Sequence, residues 1–363
     1  MTPRERPPES RPPRSRSPEP SPRARRPFLG RTRTALAILL VAAWFLLAGA
    51  WLIGRLATDM SLQTQYLFWL PTPIGAGVGV VLCLLAWAWR PPARIARLGV
   101  RTGTVAVALM VAFLLVGEMR LGRGGGTIDQ STPPDSTTRV LSWNLGGDPL
   151  RDPLPEAASW HPDLAILANL SWKYRRPRPE ALVGTPLEEA AWHHLGRFLI
   201  LTPHPIARTG VVDLGLEATR RGDGQIDPGQ AAFIEVTIDG SPRIVWLIDL
   251  PSDPSIPRHS MLRLAGLRIG HTEGGAGFPE PDLIVGDFNT PRGSRSLRNI
   301  VGDADSAFDR AGSGWSATWP RAFPLWHIDQ VFVDDAVGVR AHRVLDMGLG
   351  EHRGVVVDVR WSR

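Results

Sequence analysis

Leu283-Ile284-Val285-Gly286-Asp287-Phe288-Asn289-Thr290 is an apolar run that ends in a glycine, followed by two short polar side chains at alternate positions. In extended backbone residues i and i+2 share a face, so Asp287 and Asn289 point at one spot beyond the strand end. A carboxylate beside a carboxamide is able to orient and deprotonate a water molecule next to a metal-bound phosphate. The plain alternative is an Asx-rich turn after a buried strand. The sequence on either side bears on the choice.

Upstream and downstream of this stretch, short apolar runs alternate with turn clusters. Strands are expected at 140–143, 164–167, 198–201, 232–238, 244–248, 283–285, 328–333 and 354–359, and helices at 187–195 and 260–269, with a short one near 294–299. Residues 236–248 read as a hairpin turning at Asp239-Gly240. Strand runs interleaved with a few helices fit a two-sheet α/β sandwich with helices outside. The domain is expected to start near Thr138 and run to the end of the sequence, a reasonable length for one domain.

The order of motifs resembles the endonuclease/exonuclease/phosphatase superfamily, the DNase I-like fold of metal-dependent phosphoesterases. The blocks that carry the resemblance are 140–145 (VLSWNL), 162–167 (PDLAIL), 201–206 (LTPHPI), 286–290 (GDFNT), 328–332 (IDQVF) and 351–353 (EHR). A multi-span apolar front joined to such a domain also resembles bacterial members. The resemblance implies roles by position. Asn144 is similar to the Asn that helps hold the metal or a phosphate oxygen. Asp287 resembles the residue that aligns and deprotonates the attacking water, and Asn289 its phosphate-contacting partner. His352 resembles the terminal histidine that stabilises the pentacovalent phosphorus, and Asp329 the acid that orients it. A carboxylate bonded to an imidazole fixes its tautomer and favours its charged form.

Three positions depart from the family's pattern. After Leu167 the family continues Gln-Glu, with that Glu as the principal magnesium ligand; here the residues are Ala168-Asn169. A carboxamide oxygen ligates a hard cation but brings no charge. After Ile248 a His-Leu pair is usual; here it is Asp249-Leu250. The last block is usually Ser-Asp-His; here it is Gly350-Glu351-His352. Gln330 also replaces a frequent His. The expected ligands of Mg²⁺ or Mn²⁺ are therefore Asn144, Asn169, Asp249 and Glu351, with Asp249 a candidate to restore the charge that Asn169 lacks. Two functions stay open. One is an altered, active phosphoesterase; the other is a catalytically degenerate family member acting as a membrane-tethered binding domain.

Charge is divided along the chain. Residues 1–34 hold ten Arg and three acids (+7), residues 35–123 seven Arg and two acids (+5), and residues 124–363 hold 24 bases and 30 acids (−6). The acidic C-terminal part argues against a stable nucleic-acid partner, which needs a basic face. A local basic groove around Arg175, Arg176 and Arg178 is the exception to look for. Residues 1–34 are Pro-, Arg- and Ser-rich and read as a disordered tail. Apolar runs follow at 35–54, 67–89 and 102–117, giving a three-helix transmembrane region. Trp69, Trp87 and Trp89 sit where interfacial indoles belong. By the arginine distribution the tail and the second loop are cytoplasmic, which puts the C-terminal domain outside the cytoplasm and beside the bilayer. Residues 121–137 read as a Gly/Ser/Thr/Pro linker. The single cysteine, Cys83, permits no intramolecular disulfide and no Cys-based zinc site. The spans carry no ionisable residue that would mark a transport path.

Several other residues attract notice. His193-His194 after Glu188-Glu189 lack the His-Glu-x-x-His spacing and read as a solvated helix face. His204, between two prolines, reads as a phosphate contact or a turn histidine. Trp315, Trp319 and Trp326 read as packing or as a substrate wall. The stretch 222–227 lacks the terminal Glu of a calcium loop.

Overall fold

The computed structural model describes residues 26–362 apart from 90–92, 124–125, 127, 129, 131–135, 147–148, 175, 186, 217–226 and 271–274. Arg175 and the 222–226 stretch therefore lie outside the described residues, as does the tail before Arg26.

The front is helical: α1 (Arg26–Ala57), α2 (Leu62–Phe68), α3 (Thr72–Ala88) and α4 (Arg94–Ala112), the last continued by a π-helical turn over Phe113–Glu118. The helix thus begins inside the segment expected to be disordered. Arg31–Ala57 and Arg94–Glu118 are each long and apolar enough to cross a membrane. The expected span at 67–89 is not one straight helix. Helices α2 and α3 meet at a bend of 67° and count as a third span only if taken together. The cause is local. Pro71 has no N–H to extend the α2 ladder, and a proline disfavours helical backbone at the residue before it. Helices α1, α3 and α4 pack around Trp44, which is fully buried and donates from Nε1 to the Gly103 carbonyl at 3.1 Å.

The C-terminal part contains strands β1 (Thr138–Asn144), β2 (Leu164–Ala168), β3 (Ala191–Leu195), β4 (Phe198–Thr202), β5 (Ile206–Asp213), β6 (Gln230–Ile238), β7 (Ser241–Asp249), β8 (Leu283–Asp287), β9 (Asp305–Ser306), β10 (Asp329–Val333), β11 (Val337–Leu345) and β12 (Gly354–Trp361). Among them run α5 (Leu154–Ala158), α6 (Arg258–Ile269), α7 (Arg298–Val301) and α8 (Ala307–Ala311). Two six-stranded sheets form, in the orders β11-β12-β1-β2-β4-β3 and β5-β6-β7-β8-β10-β9. This is the two-sheet α/β sandwich. Pairs β1–β2 and β7–β8 are parallel, and the other pairings between these strands are antiparallel.

Strand periodicity builds three apolar layers. Val140, Ile166, Leu247, Val285, Val331 and Val357 meet between the sheets. Their sequence neighbours turn outward. Leu141, Trp143 and Leu167 pack under α5, while Trp246, Ile284 and Phe332 share a cluster with Met261, Leu262 and Ala265 of α6. Burying both faces of these strands explains their continuous apolar runs.

Two expectations are corrected here. Residues 187–195 are a turn followed by edge strand β3, not a helix, so His193 and His194 sit on a sheet edge. The five residues Ala191–Leu195 gain ladder bonds from β4 that an isolated helix of that length could not match. The 121–137 segment is not simply a tether. Ile128 is 1% exposed within the outer layer of the first sheet, and its carbonyl accepts from Arg343 Nη1 at 2.6 Å. Strands β5, β9 and β11 were not expected from sequence.

The helical front docks on the sandwich through named bonds. Gln65 of α2 is fully buried. Its Nε2 donates to the carbonyls of Pro254 (2.9 Å) and Ile256 (3.2 Å), and its Oε1 accepts from the Arg258 N–H at 2.7 Å. Asp59 accepts from Ser296 Oγ, and Arg292 Nη2 donates to the Glu118 carbonyl at 2.8 Å.

Candidate active site

The strand pattern that fills the core also delivers the polar residues. Alternate positions of β8 (283, 285), β7 (245, 247) and β10 (331, 333) face the inter-sheet core. Continuing each count by one step reaches Asp287, Asp249 and Asp329. Asp249 is in register with Asp287 on the parallel partner, and Asp287 with Asp329 on the antiparallel one. Three aspartates thus lie side by side across three strands at one end of the sandwich. Asn144 ends β1 in the facing sheet, on the same side as Val140. Gly286 permits this row. Its φ is +139°, and a Cβ there would run into the Ile248 carbonyl of the neighbouring parallel strand.

A chain of polar contacts links the row. Asn144 Nδ2 donates to Asp287 Oδ2 at 2.8 Å, and Asn144 Oδ1 accepts from Asn169 Nδ2 at 3.0 Å and from the Gly146 N–H at 2.9 Å. Asn169 Nδ2 also lies 3.2 Å from both oxygens of Asp249. Asn289 Nδ2 donates to Asp287 Oδ2 at 3.0 Å and to the Leu250 carbonyl, while its backbone N–H reaches Asp287 Oδ1 at 2.8 Å. Asn169 and Asn289 both take positive φ (55° and 45°), which asparagine tolerates better than most residues. His352 Nδ1 lies 2.8 Å from Asp329 Oδ2 and 3.8 Å from Asp287 Oδ2. The polar end of the sandwich opens as a cavity of about 500 Å³, lined by Asn144, Asn169, Asp249, Asp287, Asn289, Glu351 and His352 among others. Asp329 sits behind His352, 2% exposed.

Burial and crowding tune these groups. Burial raises the Asp287 carboxyl well above the ordinary carboxylate range, the neighbouring Asp329 charge raises it further, and His352 opposes both. Burial by itself would lower His352, but the Asp329 and Asp287 carboxylates outweigh it and hold the imidazole up at about 9. Burial raises Asp249 as well, partly countered by the Arg197 guanidinium 2.8 Å away.

Of the eight residues expected from sequence, Asn144, Asn169, Asp249, Asp287, Asn289, Glu351 and His352 line one cavity, and Asp329 lies behind them. Their surroundings differ. Asp249 is held by Arg197, which also pairs with buried Asp227 at 2.5 Å. Glu351 is exposed, with Oε2 beside Gly146. Among the described residues, Asp287, Asp329 and His352 also bring potential ligand atoms within 4.8 Å of one another. Two carboxylates and a neutral imidazole suit a divalent cation, but the charge that both aspartates favour on His352 opposes ligation through its ring.

Other sequence candidates are distributed differently. Trp319 and Trp326 line the cavity with ring centroids 5.3 Å apart, and Trp315 lies beyond them, bonded to the Pro324 carbonyl. His204 follows β4 at the opposite end of the first sheet, where Leu201 pairs with Ala165 near the start of β2, so it is a turn histidine remote from the cavity. Arg178 pairs with Asp152 at 2.6 Å and stacks over Tyr174. Sequence reading missed Arg197, Asp227, Arg258, Tyr66 and Trp69. Arg258 is fully buried with its guanidinium 5.2 Å from the Trp69 ring, and Tyr66 and Trp69 reach the cavity from α2. No pattern around Arg197 flags it. Trp69 has the signature of an interfacial indole, which masked its place beside the cavity.

The family described as the Endonuclease/Exonuclease/phosphatase family matches residues 141–352, and the chain belongs to it. Members of this family are usually hydrolases acting on phosphoester bonds, and commonly use divalent metals. Among solved structures, a humanized D. rerio TDP2 is 17% identical with a TM-score of 0.46, covering 62% of this chain and 100% of its own. A mannosyl-6-phosphatase from Bacteroides thetaiotaomicron is 14% identical with a TM-score of 0.46, over 62% of this chain and 100% of that one. An endonuclease/exonuclease/phosphatase from Bacteroides vulgatus is 13% identical with a TM-score of 0.46, over 63% and 100%. No curated protein matches the chain.

Proposed function

We propose that the chain is a membrane-anchored phosphoesterase that works with a divalent cation, Mg²⁺ or Mn²⁺. The observation that carries this reading is the His352–Asp329 contact at 2.8 Å, set beside Asp287 and its two asparagine donors in one cavity. Asn144, Asn169 and Asp249 would hold the cation, with Glu351 able to reach it from the rim, which leaves Asp287, Asp329 and His352 to handle protons and charge. When bound, such an ion supplies Lewis-acid polarisation of the phosphoryl oxygen.

The remaining work falls to the chain's own side chains. Asp287 aligns a water and takes one of its protons; a carboxyl raised above the ordinary range is a stronger base than an ordinary carboxylate. The water oxygen bonds to phosphorus, the bond to the leaving oxygen breaks, and solvent protonates the departing alkoxide. His352 is cationic at neutral pH. With Nδ1 engaged by Asp329, Nε2 is the ring nitrogen left to meet the charge that develops on phosphorus. Asn289 Nδ2 and Asn144 Nδ2 hold the Asp287 carboxylate in place. The helical front, with two or three helices fit to cross a bilayer, supports the anchored form. The arginine distribution supports an extracytoplasmic domain, with the lipid bilayer and a phosphoester as partners and no stable nucleic acid.

The full chain in detergent, assayed on bis-p-nitrophenyl phosphate, p-nitrophenyl phosphate and plasmid DNA with Mg²⁺ or Mn²⁺, tests the reading. Metal-dependent turnover that vanishes in Asp287→Ala supports it. Turnover that survives the substitution points to a contaminant. A second reading, a binding-only domain, is favoured by Asn169 at the family's metal-ligand position and by Arg197 on Asp249. Metal binding without turnover of any of the three substrates would select it.

A further inference from the structure

A second cavity, of about 460 Å³, adjoins the first, and Trp69, Pro291 and Trp326 line both. Trp326 Nε1 donates to the Trp69 carbonyl at 3.0 Å, so these two residues are tied together at the boundary between the cavities. Beyond that boundary the walls are apolar: Leu52 and Leu56 from α1, Phe68 and Leu70 from the α2–α3 elbow, and Ala317 and Leu325 from the sandwich. The polar side chains there engage one another. Arg55 Nη2 lies 2.7 Å from Glu118 Oε1 and 2.8 Å from Thr72 Oγ1, and Arg292 Nη1 pairs with Asp309 at 2.5 Å. Leu52 and Leu56 are 50% and 66% exposed, so the cleft opens onto the apolar outer surface of α1.

A polar cavity thus adjoins, at the boundary formed by Trp69, Pro291 and Trp326, an apolar cleft that opens beside a bilayer-length helix. A water-soluble phosphoester has nothing to place in that cleft. A nucleic acid has no apolar tail for it either, and residues 124–363 carry −6. Resting on the phosphoesterase reading, we propose that the substrate is an amphiphile: its phosphoester is cut beside Asp287 and His352 while its alkyl chain crosses the Trp69–Pro291–Trp326 boundary into the Leu52–Leu325 cleft. Helix α2 is then part of the substrate site, held against the sandwich by Gln65. The front of the chain selects the substrate as well as anchoring the domain.

The test uses the full chain in detergent with Mn²⁺ and two synthetic diesters, p-nitrophenyl ethyl phosphate and p-nitrophenyl dodecyl phosphate. The dodecyl ester is expected to exceed the ethyl ester in kcat/KM by on the order of tenfold, since each chain methylene gains contact in the cleft. Leu52→Trp and Leu325→Trp, which fill the cleft from opposite walls, are expected to bring that ratio to about one. A ratio near one in the unaltered chain, or one unchanged in both variants, overturns the proposal. A second readout is independent of catalysis. A dodecyl phosphate with a terminal diazirine, photolysed on the full chain, should label peptides bearing Leu52, Leu56 or Leu325. Label spread over the outer faces of α1, α3 and α4, or absent altogether, also overturns it. Label in the cleft without turnover of either ester supports the amphiphile site and defeats the phosphoesterase reading instead.

Discussion

Asp287 and Asp329 face each other as register partners on antiparallel β8 and β10, both only 2% exposed. Like charges directly opposite each other on neighbouring strands repel, and burial strengthens the repulsion. The fold tolerates the pair because His352 lies 2.8 Å from one carboxylate and 3.8 Å from the other. The same arrangement that costs stability gives Asp287 its raised affinity for a proton and His352 its retained charge.

Asp329→Asn removes the larger of the two attractions on His352. Its imidazole, held up at about 9, is expected to titrate at least one unit lower, readable from the His352 ring signals in an NMR pH series. The alkaline limb of the pH–rate profile should shift down with it. Because the folded value lies above the unfolded one, about 6.5, the His352 contribution to stability is full below pH 6.5 and is lost as pH rises through 9. In the unaltered chain that contribution is roughly 3 kcal/mol at most. An unmoved His352 titration in Asp329→Asn would show that the contact does not set the histidine's charge.

Arg197 bears on metal affinity. It holds Asp249 at 2.8 Å and Asp227 at 2.5 Å, placing a cation next to the site where a divalent ion is expected. Arg197→Met frees the Asp249 carboxylate and removes a repelling charge. Mn²⁺ affinity should rise by on the order of tenfold by titration calorimetry, the scale of one partly screened unit charge at several ångströms. Asp249→Ala should act in the opposite direction. Equal affinities in all three forms would remove Asp249 from the set of groups that attract the ion.

Arg139 and Asp358 form a buried ion pair between β1 and β12, with Nε–Oδ1 at 2.7 Å, Nη2–Oδ2 at 3.0 Å and both side chains 2% exposed. Arg139 Nη1 also donates to the Trp160 carbonyl at 3.0 Å. Removing one partner strands a charge in the core. Asp358→Asn is expected to cost about 3–5 kcal/mol, seen as a lower thermal midpoint with the active-site contacts intact. A cost under about 1 kcal/mol would mean that water reaches the pair.

How much of this was legible in the sequence follows from periodicity. The sandwich was readable because two-sided burial leaves apolar runs that stop abruptly, and two of those stops, Asp287 and Asp249, face the same cavity. Asn144 and His352 became readable through the order of the family's blocks. What failed was local. The 187–195 segment carries Glu and His at helix-like intervals, yet pairing with β4 sets its conformation. Strand β5 is mostly exposed and lacks an apolar signature, so its strand character comes from pairing with β6. Arg197, Tyr66 and Trp69 reach the site through tertiary contact alone, from an edge of one sheet and from the short helix just before the expected second span and that span's start. The bend between α2 and α3 falls at Pro71 and Pro73, inside the stretch expected as a single span.

His327 and His342 give the protein an acid limit of its own. Both are buried beside Phe308, with ring centroids 6.2 Å apart, and none of their four ring nitrogens has a hydrogen-bond partner among the described residues. Burial, assisted by the nearby Arg292 charge, lowers His342 to about 3 and lowers His327 well below its ordinary value. The folded state therefore binds fewer protons than the unfolded one. Stability from this pair is complete above pH 6.5 and is lost as pH falls below it. The loss is roughly 1.4 kcal/mol per pH unit for each ring. The buried acids Asp163 and Asp249, with raised values, act in the opposite sense, so the pair must be isolated by comparison. His342→Phe extends the aromatic cluster around Phe308 and removes one buried imidazole. Between pH 7 and pH 4.5 the variant's thermal midpoint, followed by tryptophan fluorescence, should fall less than that of the unaltered chain. The gap corresponds to roughly 3 kcal/mol at the lower pH. Parallel curves would mean that the His342 imidazole finds a proton-accepting partner, or water, in the folded state.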